Sequence, residues 1–146
     1  MTTAQQIAER SAAEMFAADR ASQSLGMTVA EVGPGFARLT MRVREDMANG
    51  HGICHGGFIF ALADSAFAFA CNSHGFAAVA AGVSIDFVAP ARAGEELTAV
   101  ARERWRGRRT GVYDMEVIRA DGSAVAYVRG RSSRLDATPQ VPASEV

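Results

Sequence analysis

The sequence predicts an α+β fold in which an antiparallel sheet wraps one apolar helix. Three observations carry this reading. Residues 58–71, FIFALADSAFAFAC, include 12 apolar positions out of 14 and are rich in Ala. Segments downstream of that run alternate polar with apolar residues. Short turns join those segments, as an antiparallel sheet requires.

Taken in order, residues 4–19 space their apolar side chains helically and consist of good helix formers, which predicts a helix. GPG at 33–35 is a turn. Residues 36–43 set Ala37, Leu39, Met41 and Val43 against Arg38, Thr40 and Arg42, the pattern of a half-buried strand. The length and Ala content of residues 56–72 favour a helix over a strand, with Gly75 as its stop. Strands follow over residues 83–88 (ended by Pro90), 97–106, 110–118 and 123–135, with ADG at 120–122 as a hairpin turn. The expected organisation is one domain over residues 1–136 and a flexible C-terminal tail over residues 137–146.

Composition narrows the function. The chain has 146 residues, 49% hydrophobic, with a net charge of -1 and a pI near 6.3, so neither nucleic acid nor an anionic membrane is expected as a partner. All 15 basic residues are Arg, which excludes Schiff-base and other catalytic-lysine chemistry. The two cysteines, Cys54 and Cys71, are too few for a disulfide scaffold. The first residues, MTTAQQIAERSAAEMF, lack the apolar core of a signal peptide, and the longest apolar run is too short to cross a bilayer. A cytoplasmic location fits, and no cofactor is expected.

Asp64 interrupts the apolar run. Ile59, Phe60, Leu62, Ala63, Phe67 and Ala68 lie on most sides of it on a helix, which predicts burial. A buried carboxyl has a raised pKa and is a stronger base, so Asp64 is a candidate base or nucleophile. The competing reading is a hydrated residue on the helix surface. His55-Gly56-Gly57 precedes the run. A helix N-terminus offers free N–H groups, and Gly permits close approach to the backbone, so this stretch can serve as an oxyanion hole. Its alternative is a loop glycine pair without chemical importance. Eight residues separate Gly56 from Asp64, about 12 Å along a helix. One helix cannot combine the two, but two antiparallel copies about a two-fold axis can.

Other groups also admit a bland and a functional reading. His51-x2-Cys54 and Cys71-x2-His74 have zinc-like spacing but flank the helix, roughly 25 Å apart in one chain, so no metal is expected. Cys54 and His55 are sequence neighbours that point apart and make a poor nucleophile pair. Arg102, Arg104, Arg106 and Arg108 alternate on one predicted strand face, with Arg109 in the turn. They form either a solvated outer face or, at Arg106, Arg108 or Arg109, a phosphate contact.

NGHGICHGG, FALADSAFAFACNS, SIDFVAPARAGEELTA, RTGVYDMEVI and AYVRGRSSR, spread over residues 41–134, together resemble the hotdog-fold acyl-CoA thioesterases of the phenylacetic acid degradation (PaaI) type. The spacing of Asn49, His55 and Asp64 is the specific part. The resemblance implies a long central helix wrapped by a curved antiparallel sheet, paired into a homodimer and further into a homotetramer. It implies hydrolysis of small aryl-acetyl thioesters of coenzyme A, phenylacetyl or hydroxyphenylacetyl, within phenylacetate degradation. By the same resemblance, Asp64 attacks the thioester carbon or activates water. The Gly56 N–H of the other subunit polarises the carbonyl, His55 lies near the thioester, and Asn49 helps position the carboxylate or water. RRTG places Arg106, Arg108, Arg109 and Thr110 at a turn that contacts the nucleotide of coenzyme A. A hotdog dehydratase and a non-catalytic acyl-CoA sensor are the competing functions.

Overall fold

The computed structural model describes residues 1–139. Two helices open the chain, α1 (Ala4–Ala18) and α2 (Arg20–Ser24). Thr3 and Gln6 close a capping box that fixes the start of α1: Thr3 Oγ1 accepts the Gln6 N–H at 3.1 Å, and Gln6 Oε1 accepts the Thr3 N–H at 3.0 Å. Strands β1 (Thr28–Gly33) and β2 (Phe36–Arg42) follow, then a single 3-10 turn (Glu45–Met47) and the long helix α3 (Gly56–Cys71). The remaining strands are β3 (Phe76–Phe87), β4 (Glu96–Arg106), β5 (Thr110–Ile118) and β6 (Ala124–Pro139).

The six strands form one sheet in the order β1-β2-β4-β5-β6-β3, and every neighbouring pair is antiparallel. The alternation seen in the sequence faces inward as expected. Ala37, Leu39 and Met41 of β2, Leu97, Ala99 and Ala101 of β4, and Tyr113, Met115 and Val117 of β5 are all buried. They close on Ile59, Leu62, Ala63, Ala66, Phe67, Phe69 and Ala70 of α3 in one cluster. Ala at 63, 66 and 70 lets the sheet approach the helix closely. At Gly130 of β6 the approach leaves no room for a side chain, because an added Cβ would stand 2.6 Å from Cε2 of the Phe67 ring.

Asn72 fastens the end of α3 to β3. Its Nδ2 donates to the carbonyls of Ala68 and Ala78 at 2.8 and 3.0 Å, and its Oδ1 accepts the Ala78 N–H at 2.9 Å. Gly75 follows with φ +86°, the left-handed conformation expected of a helix stop.

Several expectations shift. The sheet gains β1, whose TVAEVG lacks clean alternation and forms the edge beside β2. β3 begins at Phe76 rather than Val83, because its first half, FAAVAAG, is small and apolar and carries no period of two. β6 runs to Pro139, so residues 137–139 belong to the strand and not to a tail. The rest of the expected tail, from residue 140, lies outside the described residues.

Candidate active site

The loop before α3 brings three of the expected residues together. Asn49 folds it: its Oδ1 accepts the N–H groups of His51 and Ile53 at 2.9 and 3.2 Å. Only the Asn49 amide NH2 is then left to donate elsewhere. His55 caps α3, with Nδ1 accepting the Gly57 N–H at 3.4 Å. With Nδ1 accepting, a neutral ring carries its proton on Nε2, and the residue is exposed. The Gly56 N–H has no acceptor among the described residues, and it sits at the positive end of the helix dipole. An added Cβ would meet the Phe87 ring at 3.1 Å, so that exposed ring would have to give by a few tenths of an ångström.

Asp64 lies two turns further along α3, and here the structure corrects the sequence reading. Asp64 is exposed on the single chain. The sheet covers one side of α3, and Asp64 projects from the other, with Phe60, Ala61 and Ala68, which are themselves only half-buried. Partial desolvation and then the charge of Asp19 still push its carboxyl above the usual range.

Asp19 caps α2, and the Ser22 hydroxyl lies 2.6 Å from Asp19 Oδ2 and 2.8 Å from the Ser65 hydroxyl of α3. Sequence reasoning missed this set. Ser65 stood out only as the second polar residue of the apolar run, and nothing local links it to Ser22.

The arginines divide. The expected single face is broken by a β-bulge between Glu103 and Trp105, and Arg108 lies beyond the end of β4. Arg102 stacks on Phe36 at 5.0 Å, Arg104 pairs with Asp114 at 3.4 Å, and Arg106 lies 3.7 Å from Glu103. Among the described residues Arg108 and Arg109 have no side-chain partner, and both are exposed. This turn faces the C-terminal end of α3, where Cys71, His74, Arg106 and Thr110 line one small cavity. Gly56 and the arginine turn therefore stand at opposite ends of a 16-residue helix, about 24 Å apart. The two cysteines are free and buried. Among the described residues no three His, Cys, Asp or Glu side chains are placed to hold a metal.

The start of α3 adjoins the end of β3, the last strand of the sheet, where Gly56 lies against the Phe87 ring. β3 has 12 residues and no partner on its outer side among the described residues, and Val79, Val83 and Phe87 are exposed along it. No helix among the described residues is long and apolar enough to cross a membrane.

Comparison with known proteins agrees with this architecture. The family model described as "Thioesterase superfamily" matches residues 51–126, from the loop before α3 into β6. The chain is 48% identical to the acyl-coenzyme A thioesterase PaaI of Escherichia coli K12 over 85% of its own length and 89% of the relative's. The solved structure of E. coli PaaI, from the phenylacetic acid degradation operon, superposes with a TM-score of 0.91 at 45% identity, covering 93% of this chain and 99% of that one. The TT0310 protein of Thermus thermophilus follows at TM-score 0.77 and 43% identity, over 80% and 98% of the two chains. With the sheet, the enclosed α3 and the extent of these matches in hand, the chain belongs to the thioesterase superfamily and has its hotdog fold.

Proposed function

We propose that the protein is an acyl-coenzyme A thioesterase acting on small aryl-acetyl thioesters, phenylacetyl or hydroxyphenylacetyl, in phenylacetate degradation. The observation that carries this reading is the pairing of a free Gly56 N–H at the start of α3 with Asp64 on the uncovered side of the same helix. The relative most informative about substrate, E. coli PaaI, is an acyl-coenzyme A thioesterase of a phenylacetic acid operon.

The working unit is a homodimer joined along β3. A long, unpaired, apolar strand edge is a surface that monomers normally avoid. Antiparallel pairing of two β3 edges turns the Gly56 end of one α3 toward Asp64 and the arginine turn of the other. The separations of about 12 and 24 Å within one chain are then no obstacle. Two such dimers make the tetramer expected from the resemblance. Burial of Asp64 belongs to the assembled dimer, so its cost in the single chain does not argue against a sensor. Two buried free thiols and a coenzyme A substrate suit a cytoplasmic enzyme.

In this dimer the thioester carbonyl oxygen accepts from the Gly56 N–H of the partner subunit, where the helix dipole favours developing negative charge. Asp64 attacks the carbonyl carbon or takes a proton from a water that does so. The tetrahedral adduct collapses with cleavage of the C–S bond and coenzyme A leaves as thiolate; water supplies the acid oxygen on the base route and hydrolyses the Asp64 anhydride on the nucleophilic one. The His55 Nε2–H and the Asn49 amide lie at the mouth of the loop and orient the reacting groups. Arg106, Arg108, Arg109 and Thr110 meet the nucleotide, Arg108 and Arg109 having no side-chain partner among the described residues.

Initial rates on phenylacetyl, hydroxyphenylacetyl, benzoyl, acetyl and long-chain coenzyme A esters, for wild type and Asp64→Ala, test the reading. A preference for aryl-acetyl esters and a loss of about a hundredfold or more in the variant is expected. Ligand binding without turnover of any thioester would reassign the protein as an acyl-CoA sensor. Single turnover in ¹⁸O water separates the two roles of Asp64, since label in its carboxyl marks an anhydride intermediate.

A further inference from the structure

The corner between α1 and α2 carries polar contacts that the reaction above does not use. Asp19 Oδ1 accepts the Ser22 N–H at 2.9 Å, and Oδ2 accepts the Ser22 hydroxyl at 2.6 Å. Ser22 is 2% exposed, and its Oγ is also 2.8 Å from Ser65 Oγ. The proton order follows from the inventory of donors. A carboxylate only accepts, so Ser22 gives its single proton to Asp19 and must accept from Ser65. A directed chain thus runs from the Ser65 hydroxyl through Ser22 to Asp19, beginning one residue from Asp64.

We propose that Asp19 is a positioning residue for the Asp64 site: through Ser22 and Ser65 it locks the α1–α2 corner onto α3 and keeps a second carboxylate beside the catalytic one. The proposal rests on the catalytic reading of Asp64 and deepens it.

The chain has little purpose as a cap alone. Asp19 already caps α2 through Ser22, and the extra bond from Ser65 adds a tie to the helix that bears Asp64. Asp19 has no cationic partner among the described residues, so its charge acts on Asp64 uncompensated. Within one chain the charged or titratable groups that bear on Asp64 are few. Asp19 acts from the α1–α2 corner, and Cys71 interacts with it from two turns further along α3. Among the described residues no arginine or histidine of the same chain offsets Asp19 there. A like charge makes Asp64 more basic and readier to take a proton from water.

The test uses the full-length protein and Asp19→Asn, which keeps a capping oxygen and removes the charge. Two readouts run in parallel: the pH profile of kcat/KM on phenylacetyl-coenzyme A, and titration of the Asp64 carboxyl by ¹³C NMR. Both the acid limb and the Asp64 midpoint are expected to move to lower pH. Ser65→Ala cuts the tie and is expected to lower kcat by up to about a hundredfold with KM nearly unchanged, the scale of a remote misplacement. Ser65→Thr, which restores the hydroxyl, is expected to recover it. An acid limb and an Asp64 midpoint that both coincide with wild type in Asp19→Asn would overturn the proposal. So would a Ser65→Ala protein with unchanged kcat. A midpoint that falls in a protein hydrolysing no thioester supports the carboxylate pair and overturns only the thioesterase reading.

Discussion

The Tyr113 hydroxyl donates to Glu103 Oε1 at 2.8 Å, and His74 Nε2 lies 2.9 Å from the same oxygen. One carboxylate thereby joins β4, β5 and the turn after α3. Tyr113 is 1% exposed, and burial, followed by the Glu103 hydrogen bond and charge, pushes its phenol far above the usual range.

Glu103→Gln should cost about 1.5–3 kcal/mol at neutral pH, the range for hydrogen bonds to a charged group. Burial raises the Glu103 carboxyl, but the hydrogen bonds from His74 and Tyr113 and the charge of Arg106 outweigh it and hold it below its ordinary value. A depressed folded pKa gives stability that is complete above the unfolded value, near 4.5, and is lost as pH falls through the folded one. Denaturant melts at stepped pH should therefore show the gap between wild type and Glu103→Gln closing below pH 4.5. A gap that stays constant from about pH 7 to about pH 3 would contradict this account.

Gly130→Ala tests the close approach of β6 to α3. The new Cβ would sit 2.6 Å from Phe67 Cε2, and Phe67 is 1% exposed within the core. Overpacking of this kind costs about 1–3 kcal/mol. A melting temperature equal to wild type would mean that β6 can draw back from the helix.

Neither native thiol should react with a disulfide reagent at about pH 8. Burial pushes Cys71 up to about 12 and raises Cys54 as well, so almost no thiolate is present. Both should react after denaturation. Prompt labelling of the native protein would show that the ends of α3 open, and it would also confuse any assay that reports released coenzyme A by its thiol.

The parts of this molecule legible in the sequence are those where one face is buried. β2, β4 and β5 alternate because α3 covers one side of them, and α3 itself announces its core in the run from Phe58 to Cys71. β1 and the first half of β3 are edge segments without an enclosed face, so TVAEVG and FAAVAAG carry no periodic signal. The exposure of Asp64 is hidden for a related reason. Apolar neighbours on a helix reveal hydrophobicity, but not how many sides the sheet reaches. Asn49, His55 and Gly56 are legible as a group because one short loop holds them. The Ser22–Ser65 contact joins positions 43 residues apart and leaves no local trace.

The decisive prediction concerns a site shared between subunits. Gly56→Pro removes the proposed polarising N–H at the first position of α3, where proline is tolerated, and His55 already has the extended backbone that precedes proline (φ -61°, ψ 134°). Gly56→Pro and Asp64→Ala should each be nearly inactive alone. In a mixed dimer one site receives an intact Gly56 from the Asp64→Ala subunit and an intact Asp64 from the other, while the second site carries both defects. Random reassociation of equal amounts makes half the dimers mixed, so activity should return to about a quarter of wild type. Initial rates after co-refolding or subunit exchange read this directly. Recovery near that level requires Gly56 and Asp64 to act across the interface. No recovery, with mixed dimers verified by mass, would place both groups in one chain and demand a movement of α3 by about 12 Å, which its buried contacts with the sheet oppose.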